Sequence, residues 1–314
     1  MSEPNFIYYP RKFSYNFLPV FYFQKNYGRL KAYEKICNTD ELHRRLHYYC
    51  KLDAEFELPK QAIANKDFKK TKGTNYYLDL KEFLHYFSPD FKFAYHFGDE
   101  THINDYPTLF KARPITENNS NSILFKLNKR RHFRWIKDPY TFREKKNMMI
   151  YRGEVRRGAR KAFVEKYHEH QLCNVGQTNK KKENVPWQKE RIPMHQQLEY
   201  KFIFCPEGND VATSLKWVMS SNSLCIMPKP RFETWFMEGT LQAGVHYLEL
   251  KDDFSNLEAL ISSYSAHPEE AEQIIDNAHA YIQNFKNQNM EDLLCLKVLE
   301  KYASLSHQKN VIKF

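Results

Sequence analysis

Apolar and polar positions in the second half of the chain follow a strand–helix order. Residues 147–170 have the pattern of a strand, a glycine turn and a helix, and residues 200–227 that of two apolar strands around a helical stretch. A further strand is predicted at 246–250. Two amphipathic helices follow at 267–285 and 290–305, where apolar residues recur at helical spacing. Strands that alternate with helices indicate an α/β fold with largely parallel sheets.

The first half of the chain has weaker patterns. Residues 39–52 carry apolar positions at helical spacing behind a threonine that can cap a helix. The aromatic run at 91–100 contains Gly98 and Asp99 near its end, which predicts a strand that enters a turn. A basic stretch at 126–146 lacks clear periodicity and is typical of a surface connection between domains.

Length and composition favour a folded chain of two domains. Its 314 residues are many for a single core, and 42% hydrophobic with 16% aromatic residues excludes a disordered chain. We expect an N-terminal domain over residues 1–145 and a C-terminal domain over residues 146–290. A final helix at 291–314 would be able to pack back on the N-terminal domain.

The formal net charge of +10, with a pI near 9.1, indicates acidic partners. Nucleic acid, an anionic membrane surface and phosphorylated substrates all fit, and the charge does not choose among them. Six cysteines without a CxxC pair indicate reduced thiols in a cytosolic protein. No signal peptide and no apolar run of roughly 18–20 residues is recognisable. We therefore expect a cytoplasmic protein that is soluble or peripheral on the inner membrane.

The first candidate ligand-binding site is the loop between the two apolar strands of residues 200–227. Pro, Gly, Asn and Asp cluster at 206–210, and a helix is predicted directly afterwards, at 211–220. Ligands of doubly wound sheets bind where strand gives way to helix, and Gly208 would let the backbone approach an anion there. The alternative is an ordinary strand–helix turn with an aspartate cap, since the usual glycine motifs of nucleotide-binding proteins are absent.

The sequence from 151 to 261 carries a series of short motifs. They are YRGEVRRGARKAFV, a glycine loop at Gly208, a helix with Lys216, and then SNS, ETWF, VHY and DFS. Their order and spacing resemble the C-terminal half of glycosyltransferase family 90, and the resemblance extends over residues 90–300. The bacterial lipopolysaccharide core glycosyltransferases are the nearest branch, because the chain lacks the signal sequence and cysteine pattern of the secretory members.

The resemblance implies a GT-B architecture, in which two Rossmann-like domains face a cleft. The N-terminal domain would hold the acceptor, a lipid-linked oligosaccharide, and the C-terminal domain would hold a nucleotide sugar, with UDP as the expected nucleotide. It further implies inversion at the anomeric carbon without a metal or any other cofactor. The sequence contains no DxD motif, and the side chains of His168 and His170 would diverge on a helix, which makes them a poor metal pair.

An inverting transferase needs a base that takes the proton from the acceptor hydroxyl. We prefer Asp99, because the base of the family is an aspartate that closes a similar strand in the N-terminal domain. Asp105 is the rival, because the sequence DYP at 105–107 matches the sequence around that aspartate in the protein O-glucosyltransferases. Either residue could instead be an aspartate that stabilises a turn.

Guanidinium and ammonium groups suit the departing diphosphate. The resemblance suggests these donor-binding residues: Arg152, Gly153, Arg160, Gly208, Thr213, Ser214, Lys216 and Glu233, with Arg156 and Arg157 as weaker candidates. Glu233 would accept hydrogen bonds from the ribose. Ser214 occupies the position where secretory relatives have an arginine. We therefore assign a larger part of the phosphate binding to Lys216. Lys111 and Arg113 could contact an anionic acceptor. For the basic residues of 152–160 the alternative is a solvated helix start.

Two other functions stay open from the sequence. Nucleic-acid binding is suggested by the charge and by 21 Tyr and 24 Phe residues that could stack on bases, but the basic residues are spread and no RNA-binding signature appears. We therefore expect no nucleic-acid partner. A family member that binds sugar nucleotide without transfer would show loss of the aspartate, and both Asp99 and Asp105 are present.

Overall fold

The structure, a computed structural model, describes residues 5–156 and 158–314. These residues form two compact units. The first, which we call the sheet unit, contains His132–Pro230 and Thr240–Asn284. The C-terminal domain that the sequence predicts, 146–290, therefore differs from this unit at both ends and lacks its interruption.

The second unit, which we call the mixed unit, contains the described residues up to Arg131 and two later segments, Arg231–Gly239 and Phe285–Phe314. Its extent differs from the N-terminal domain predicted over 1–145. The short segment Arg231–Gly239 belongs to this unit, although the segments before and after it in the sequence belong to the sheet unit. The final helix belongs to the mixed unit as well.

The helices are, in chain order, α1 (Asn5–Ser14), α2 (Val20–Glu34), α3 (Thr39–Tyr49), α4 (Thr74–Leu84), α5 (Lys129–His132), α6 (Ala159–Tyr167), α7 (Met194–Gln197), α8 (Leu215–Val218), α9 (Leu257–Ala266), α10 (Pro268–Gln283) and α11 (Gln288–Leu305). The strands are β1 (Ile63–Ala64), β2 (Lys92–Phe93), β3 (Thr108–Phe110), β4 (Ala112–Pro114), β5 (Ser122–Leu124), β6 (Lys146–Gly153), β7 (Cys173–Gln177), β8 (Tyr200–Phe204), β9 (Leu224–Met227), β10 (Phe232–Thr234) and β11 (Leu248–Glu249).

The sheet unit is built around five parallel strands in the order β11-β9-β8-β6-β7. Every residue of the central strand β8 is buried, as expected for a parallel strand that is covered on both faces. Phe163 of α6 packs on Phe204 at the end of β8, with ring centroids 4.0 Å apart, and on Phe254 at 5.1 Å. The predicted α/β class with a parallel sheet is confirmed.

The helix predicted at 211–220 is wrong in extent. The structure contains a single turn, α8, and the chain before it is irregular. Positions 209–214 are Asn, Asp, Val, Ala, Thr and Ser. All of these types except Ala have low helix propensity. Val211 and Ala212 are also buried, so packing rather than helical hydrogen bonding fixes this segment.

The mixed unit has short strands and long helices. Strand β3 pairs with β5 in parallel, β4 pairs with β10 antiparallel, and β1 pairs with β2 antiparallel. Helix α11 packs against α2 and α3. The strand predicted within 91–100 is limited to β2 and an isolated bridge between Tyr95 and Leu109, after which Gly98 and Asp99 lie in a bend.

A buried carboxylate connects the separate segments of the mixed unit. Glu291 of α11 is 1% exposed. Its Oε1 accepts a hydrogen bond from Nη2 of Arg45 at 2.6 Å, and its Oε2 accepts from Nζ of Lys126 at 2.6 Å and from the indole of Trp235 at 2.8 Å. The Trp235 ring stacks on Tyr49 at 3.7 Å, which fixes the segment Arg231–Gly239 from a second side.

The pKa of Glu291 shows that this network is ionic. Burial would raise the pKa of the carboxyl, but the charges of Lys126 and Arg45 outweigh it and keep the pKa below its usual range. The carboxylate is therefore ionised at neutral pH. Because its folded pKa is depressed, its contribution to stability is present above the unfolded pKa and is lost as the pH falls through the folded pKa.

We predict that Glu291→Ala lowers the free energy of unfolding of the mixed unit by about 3–5 kcal/mol, because it removes the carboxylate that is hydrogen-bonded to two buried cations. Urea unfolding followed by circular dichroism measures this loss. Glu57→Ala, at an exposed position of the mixed unit, is the matched control and should change stability by less than about 0.5 kcal/mol. Equal stability of the two variants would contradict the assignment of the network.

Candidate active site

Arg160, near the start of α6, connects the loops that follow β6 and β8 at the carboxyl end of the parallel sheet. Its Nε donates to the carbonyl of Glu207 at 2.9 Å, Nη2 to that of Pro206 at 3.1 Å, and Nη1 to that of Glu154 at 3.3 Å. These bonds use three of the five N–H groups of a guanidinium. The side chain is half-buried.

Gly208 lies against this guanidinium. A Cβ at Gly208 would fall 2.6 Å from Nη2 of Arg160 and 3.0 Å from its Cζ. The N–H of Gly208 also donates to the carbonyl of Asp210 at 2.7 Å, which closes a tight turn. The sequence suggested that this glycine allows a ligand to approach, and the structure gives a reason within the protein: the approach of Arg160.

Arg152 and Gly153 end strand β6. Arg152 donates from Nη1 to the carbonyl of Asn174 and from Nη2 to its side-chain oxygen, both at 2.6 Å, so the guanidinium contacts the neighbouring strand β7. Burial lowers the pKa of Arg152. A Cβ at Gly153 would lie 2.5 Å from the hydroxyl of Tyr151. Arg152 thus connects β6 with β7, and Gly153 leaves room for the Tyr151 hydroxyl. Arg157 lies outside the described residues.

The other donor-side candidates lie around α8. Thr213 and Ser214 are half-buried, and the Ser214 hydroxyl contacts Sγ of Cys205 at 3.4 Å. Lys216 is fully buried, and a phosphate would reach it only after the covering residues rearrange. From the sequence we expected the N-terminus of a helix to bind an anion here. The structure does not support this expectation, because α8 is one helical turn and has only a small macrodipole.

A cavity of about 430 Å³, open to solvent, lies in the mixed unit. Its lining residues are Tyr9, Gly73, Thr74, Asn75, Tyr76, Gly98, Asp99, Asn128 and Arg131. Three of them have positive φ angles: Gly73 (67°), Gly98 (140°) and Asn128 (55°). Backbone of this kind is common at ligand sites, and hydroxyl, amide and carboxylate groups together are suitable partners for a sugar.

Among the described residues that line this cavity, Asp99 is the only carboxylate. Its Oδ1 accepts hydrogen bonds from Nζ of Lys111 and from the hydroxyl of Tyr76, the latter at 2.9 Å, and Nη1 of Arg131 lies 3.7 Å from Oδ2. Burial would raise the pKa of Asp99, but the charge and hydrogen bond of Lys111, the hydroxyl of Tyr76 and the charge of Arg131 keep the pKa below its usual range. Asp99 is therefore ionised at neutral pH.

Asp105 has a different environment. It is exposed in a bend that precedes β3. Among the residues that the structure describes, none forms a hydrogen bond or ion pair with its carboxylate. Asp105 thus has free access to water, whereas Asp99 is held by three neighbours.

Glu233 and Arg113 form a buried pair in the mixed unit. Nε of Arg113 donates to Oε1 of Glu233 at 2.7 Å, and the hydroxyl of Tyr48 donates to Oε2. Arg113 is 0% and Glu233 is 2% exposed. Contacts of Glu233 with a ribose, or of Arg113 with an acceptor, would require this pair to open. Lys111 is also buried, and its ammonium is bound to Asp99.

Tyr76, Asn128 and Arg131 were not identified from the sequence. They come from separate segments, and no motif marks them. The positive φ of Asn128 has no reliable sequence signature, because asparagine adopts this conformation only in some turns. In the described part of the chain, no group of three or more His, Cys, Asp or Glu residues could hold a metal ion, and no helix is long and apolar enough to cross a membrane.

Comparison with known proteins identifies the family. The model of glycosyl transferase family 90 matches residues 125–313. The chain is also 45% identical over 264 residues to the O-glucosyltransferase LpsA of Dichelobacter nodosus, an alignment that covers 84% of this chain and 83% of that protein. The chain belongs to glycosyltransferase family 90. The resemblance found in the sequence is confirmed, and the protein is a glycosyltransferase.

The family 90 match includes every residue of the sheet unit and begins after Asp99 and Asp105. The loops around Arg160 therefore lie within the matched region. The cavity lies partly outside it, since Asn128 and Arg131 are inside the match and Tyr76 is not.

In this glycosyltransferase we predict that Lys111→Met raises the pKa of Asp99, because burial is then no longer offset by the adjacent charge. Lys111→Arg keeps the charge and should leave the pKa depressed. A titration of the Asp99 carboxyl carbon by NMR measures both. An unchanged pKa in Lys111→Met would show that Tyr76 and Arg131, rather than Lys111, determine the ionisation.

Proposed function

We propose that the protein transfers glucose from UDP-glucose to a hydroxyl of a lipopolysaccharide core acceptor, with inversion at the anomeric carbon and without a metal ion. The observation that carries this proposal is the 45% identity with an O-glucosyltransferase over more than four-fifths of both chains. The lipopolysaccharide acceptor, the UDP nucleotide and the inverting course rest on the resemblance to the bacterial branch of family 90.

The donor side of the proposal is the sheet unit. Its parallel strands end at the loops that Arg160 connects, which is where ligands of open α/β sheets bind. Arg160 is half-buried, permanently charged and has N–H groups beyond those bound to carbonyls, so it can contact a diphosphate. We therefore place Arg160 ahead of Lys216 as the cation that stabilises the leaving group, because Lys216 is covered in this structure.

The acceptor side of the proposal is the mixed unit. The cavity next to Asp99 offers tyrosine hydroxyls and asparagine amides that can bind sugar hydroxyls. Arg131 at its edge could contact a phosphate of the acceptor, and its guanidinium is exposed by about half. A GT-B architecture, with donor and acceptor in different units, is the arrangement that this assignment requires.

The reaction follows from these roles. The acceptor hydroxyl oxygen attacks the anomeric carbon of glucose while its proton passes to an aspartate carboxylate. The bond between that carbon and the diphosphate oxygen breaks, and UDP leaves with the electron pair. A positioned base contributes about 10²–10⁴-fold to such a step. A cation at the diphosphate stabilises charge that develops in the transition state.

We predict that Arg160→Met raises the dissociation constant of UDP by about tenfold or more, because a hydrogen bond to a charged group is worth roughly 1.5–3 kcal/mol. Gly208→Ala should weaken UDP binding as well, since its Cβ displaces the Arg160 guanidinium. Lys161→Met, at the exposed neighbouring position on α6, is the matched control and should bind UDP normally. Isothermal titration calorimetry gives the three constants.

These titrations also separate the proposed function from its alternatives. UDP should raise the melting temperature of the wild-type protein, and a single-stranded oligonucleotide should not. Stabilisation by the oligonucleotide alone would favour the nucleic-acid-binding alternative. Normal UDP affinity in both Arg160→Met and Gly208→Ala would mean that the loops around Arg160 serve only the fold.

We predict that Asp99→Asn abolishes glucosyl transfer while UDP binding survives, because an amide keeps the shape of the side chain but cannot take a proton. Because the pKa of Asp99 is depressed, the rate of the wild-type enzyme should fall only when the pH drops below the usual range of an aspartate. Transfer rates measured across pH for the wild type, Asp99→Asn and Asp105→Asn test this. Near-normal turnover in Asp99→Asn together with an inactive Asp105→Asn would assign the base to Asp105.

A further inference from the structure

A group of large apolar side chains faces solvent where α1 gives way to α2. Phe17 is 86% exposed, Phe21 69%, Val20 48% and Phe13 37%. We call these four residues the aromatic ridge. Single exposed apolar residues are ordinary, but a contiguous group in one stretch of chain indicates an interaction surface.

The segment that carries the ridge is firmly attached to the mixed unit. The hydroxyl of Tyr8 donates to Oδ1 of Asp79 at 3.1 Å, and Lys12 pairs with Glu82 of α4. Phe23 of α2 is buried and stacks on His85. Because these inner contacts hold α1 and α2 in place, the ridge is a fixed surface of the fold.

Charged residues of the chain segment that carries the ridge have one sign. Residues 5–33 contain no Asp or Glu, and their basic residues are Arg11, Lys12, Lys25, Arg29 and Lys31. Lys25 and Arg29 follow Phe21 at intervals of four residues, so the three lie on one side of α2, and both cations are exposed. We call Lys25 and Arg29 the basic face.

We propose that the aromatic ridge and the basic face dock the protein on an anionic lipid bilayer. The ridge would enter the boundary between headgroups and acyl chains, and the basic face would contact phosphate headgroups. Interfacial attachment of this kind combines buried apolar area with attraction to anionic lipid. The proposal rests on the proposed function in one respect, since a lipid-linked acceptor gives the attachment a purpose.

Charge complementarity favours a bilayer over a second copy of the chain. Two copies that meet through this surface would bring two basic faces together without an acidic residue from 5–33 to offset them. Nearby carboxylates do not supply the missing charge, because Glu82 pairs with Lys12 and Lys129, and Glu34 pairs with Lys31 and Lys297. A surface rich in anionic lipid satisfies the ridge and the basic face together.

The test uses co-sedimentation with vesicles of phosphatidylcholine, with and without phosphatidylglycerol. The wild type should bind only the anionic vesicles, and salt should weaken the binding. Phe17→Ser/Phe21→Ser should lose about tenfold or more in partition coefficient, because two apolar rings no longer enter the bilayer. Lys25→Gln/Arg29→Gln should lose about fivefold for each cation.

Ile36→Ser is the matched control. Ile36 is 81% exposed but follows the far end of α2, so its removal should leave vesicle binding within about twofold of the wild type. UDP binding, measured in the absence of vesicles, should be unchanged in all variants. A failure of the proposed function would therefore appear in UDP binding and leave the vesicle result intact.

Three outcomes would overturn the proposal. Failure of the wild type to bind anionic vesicles at low salt would exclude the bilayer as partner. Binding of Phe17→Ser/Phe21→Ser at the wild-type level would mean that charge alone is responsible and that the ridge is not inserted. A wild-type dimer in sedimentation that Phe17→Ser/Phe21→Ser dissociates, together with absent vesicle binding, would assign the ridge to contacts between copies.

Discussion

The ionised Glu291 is the constraint on which the mixed unit depends. A carboxylate that is removed from water is very unfavourable unless charges and hydrogen bonds compensate it. Its partners Arg45, Lys126 and Trp235 come from three separate parts of the chain. The requirement for these partners explains why the chain passes from the sheet unit into the mixed unit at Arg231–Gly239 and then continues in the sheet unit. The same detour carries Glu233 to Arg113 and so creates a second buried pair.

Arg160 has a comparable role in the sheet unit, although its partners are neutral. Parallel strands end in loops whose carbonyls lack partners in the sheet, and the Arg160 guanidinium supplies donors to three of them. These hydrogen bonds hold the loops together, and a Cβ at position 208 would fit only if the guanidinium moved. In the proposed function, these bonds would also orient Arg160 for a diphosphate before the ligand arrives.

The sequence was informative where structure depends on local pattern. Strands β6, β8, β9 and β11 are short apolar runs, helices α10 and α11 repeat apolar residues at helical spacing, and all of these were predicted within a few residues. Strand β7 was not predicted. The irregular chain before α8, the detour of Arg231–Gly239 and the pairing of Asp99 with Lys111 depend on contacts between distant residues. In a single sequence a buried lysine such as Lys216 has the same letter as a solvated one, so its burial could not be predicted.

The two candidate bases illustrate a general conflict between position and basicity. Asp99 borders the cavity, but the neighbours that keep it ionised also stabilise its charge, and a more stable carboxylate is a weaker base. Transfer by Asp99 would therefore require an acceptor that displaces Lys111 or excludes water from the pair. Asp105 has no such neighbour among the described residues, but it is exposed to water, which offers little control over a proton. Proton transfer to Asp99 would thus depend on acceptor binding, whereas proton transfer to Asp105 would depend on a change that covers its carboxylate.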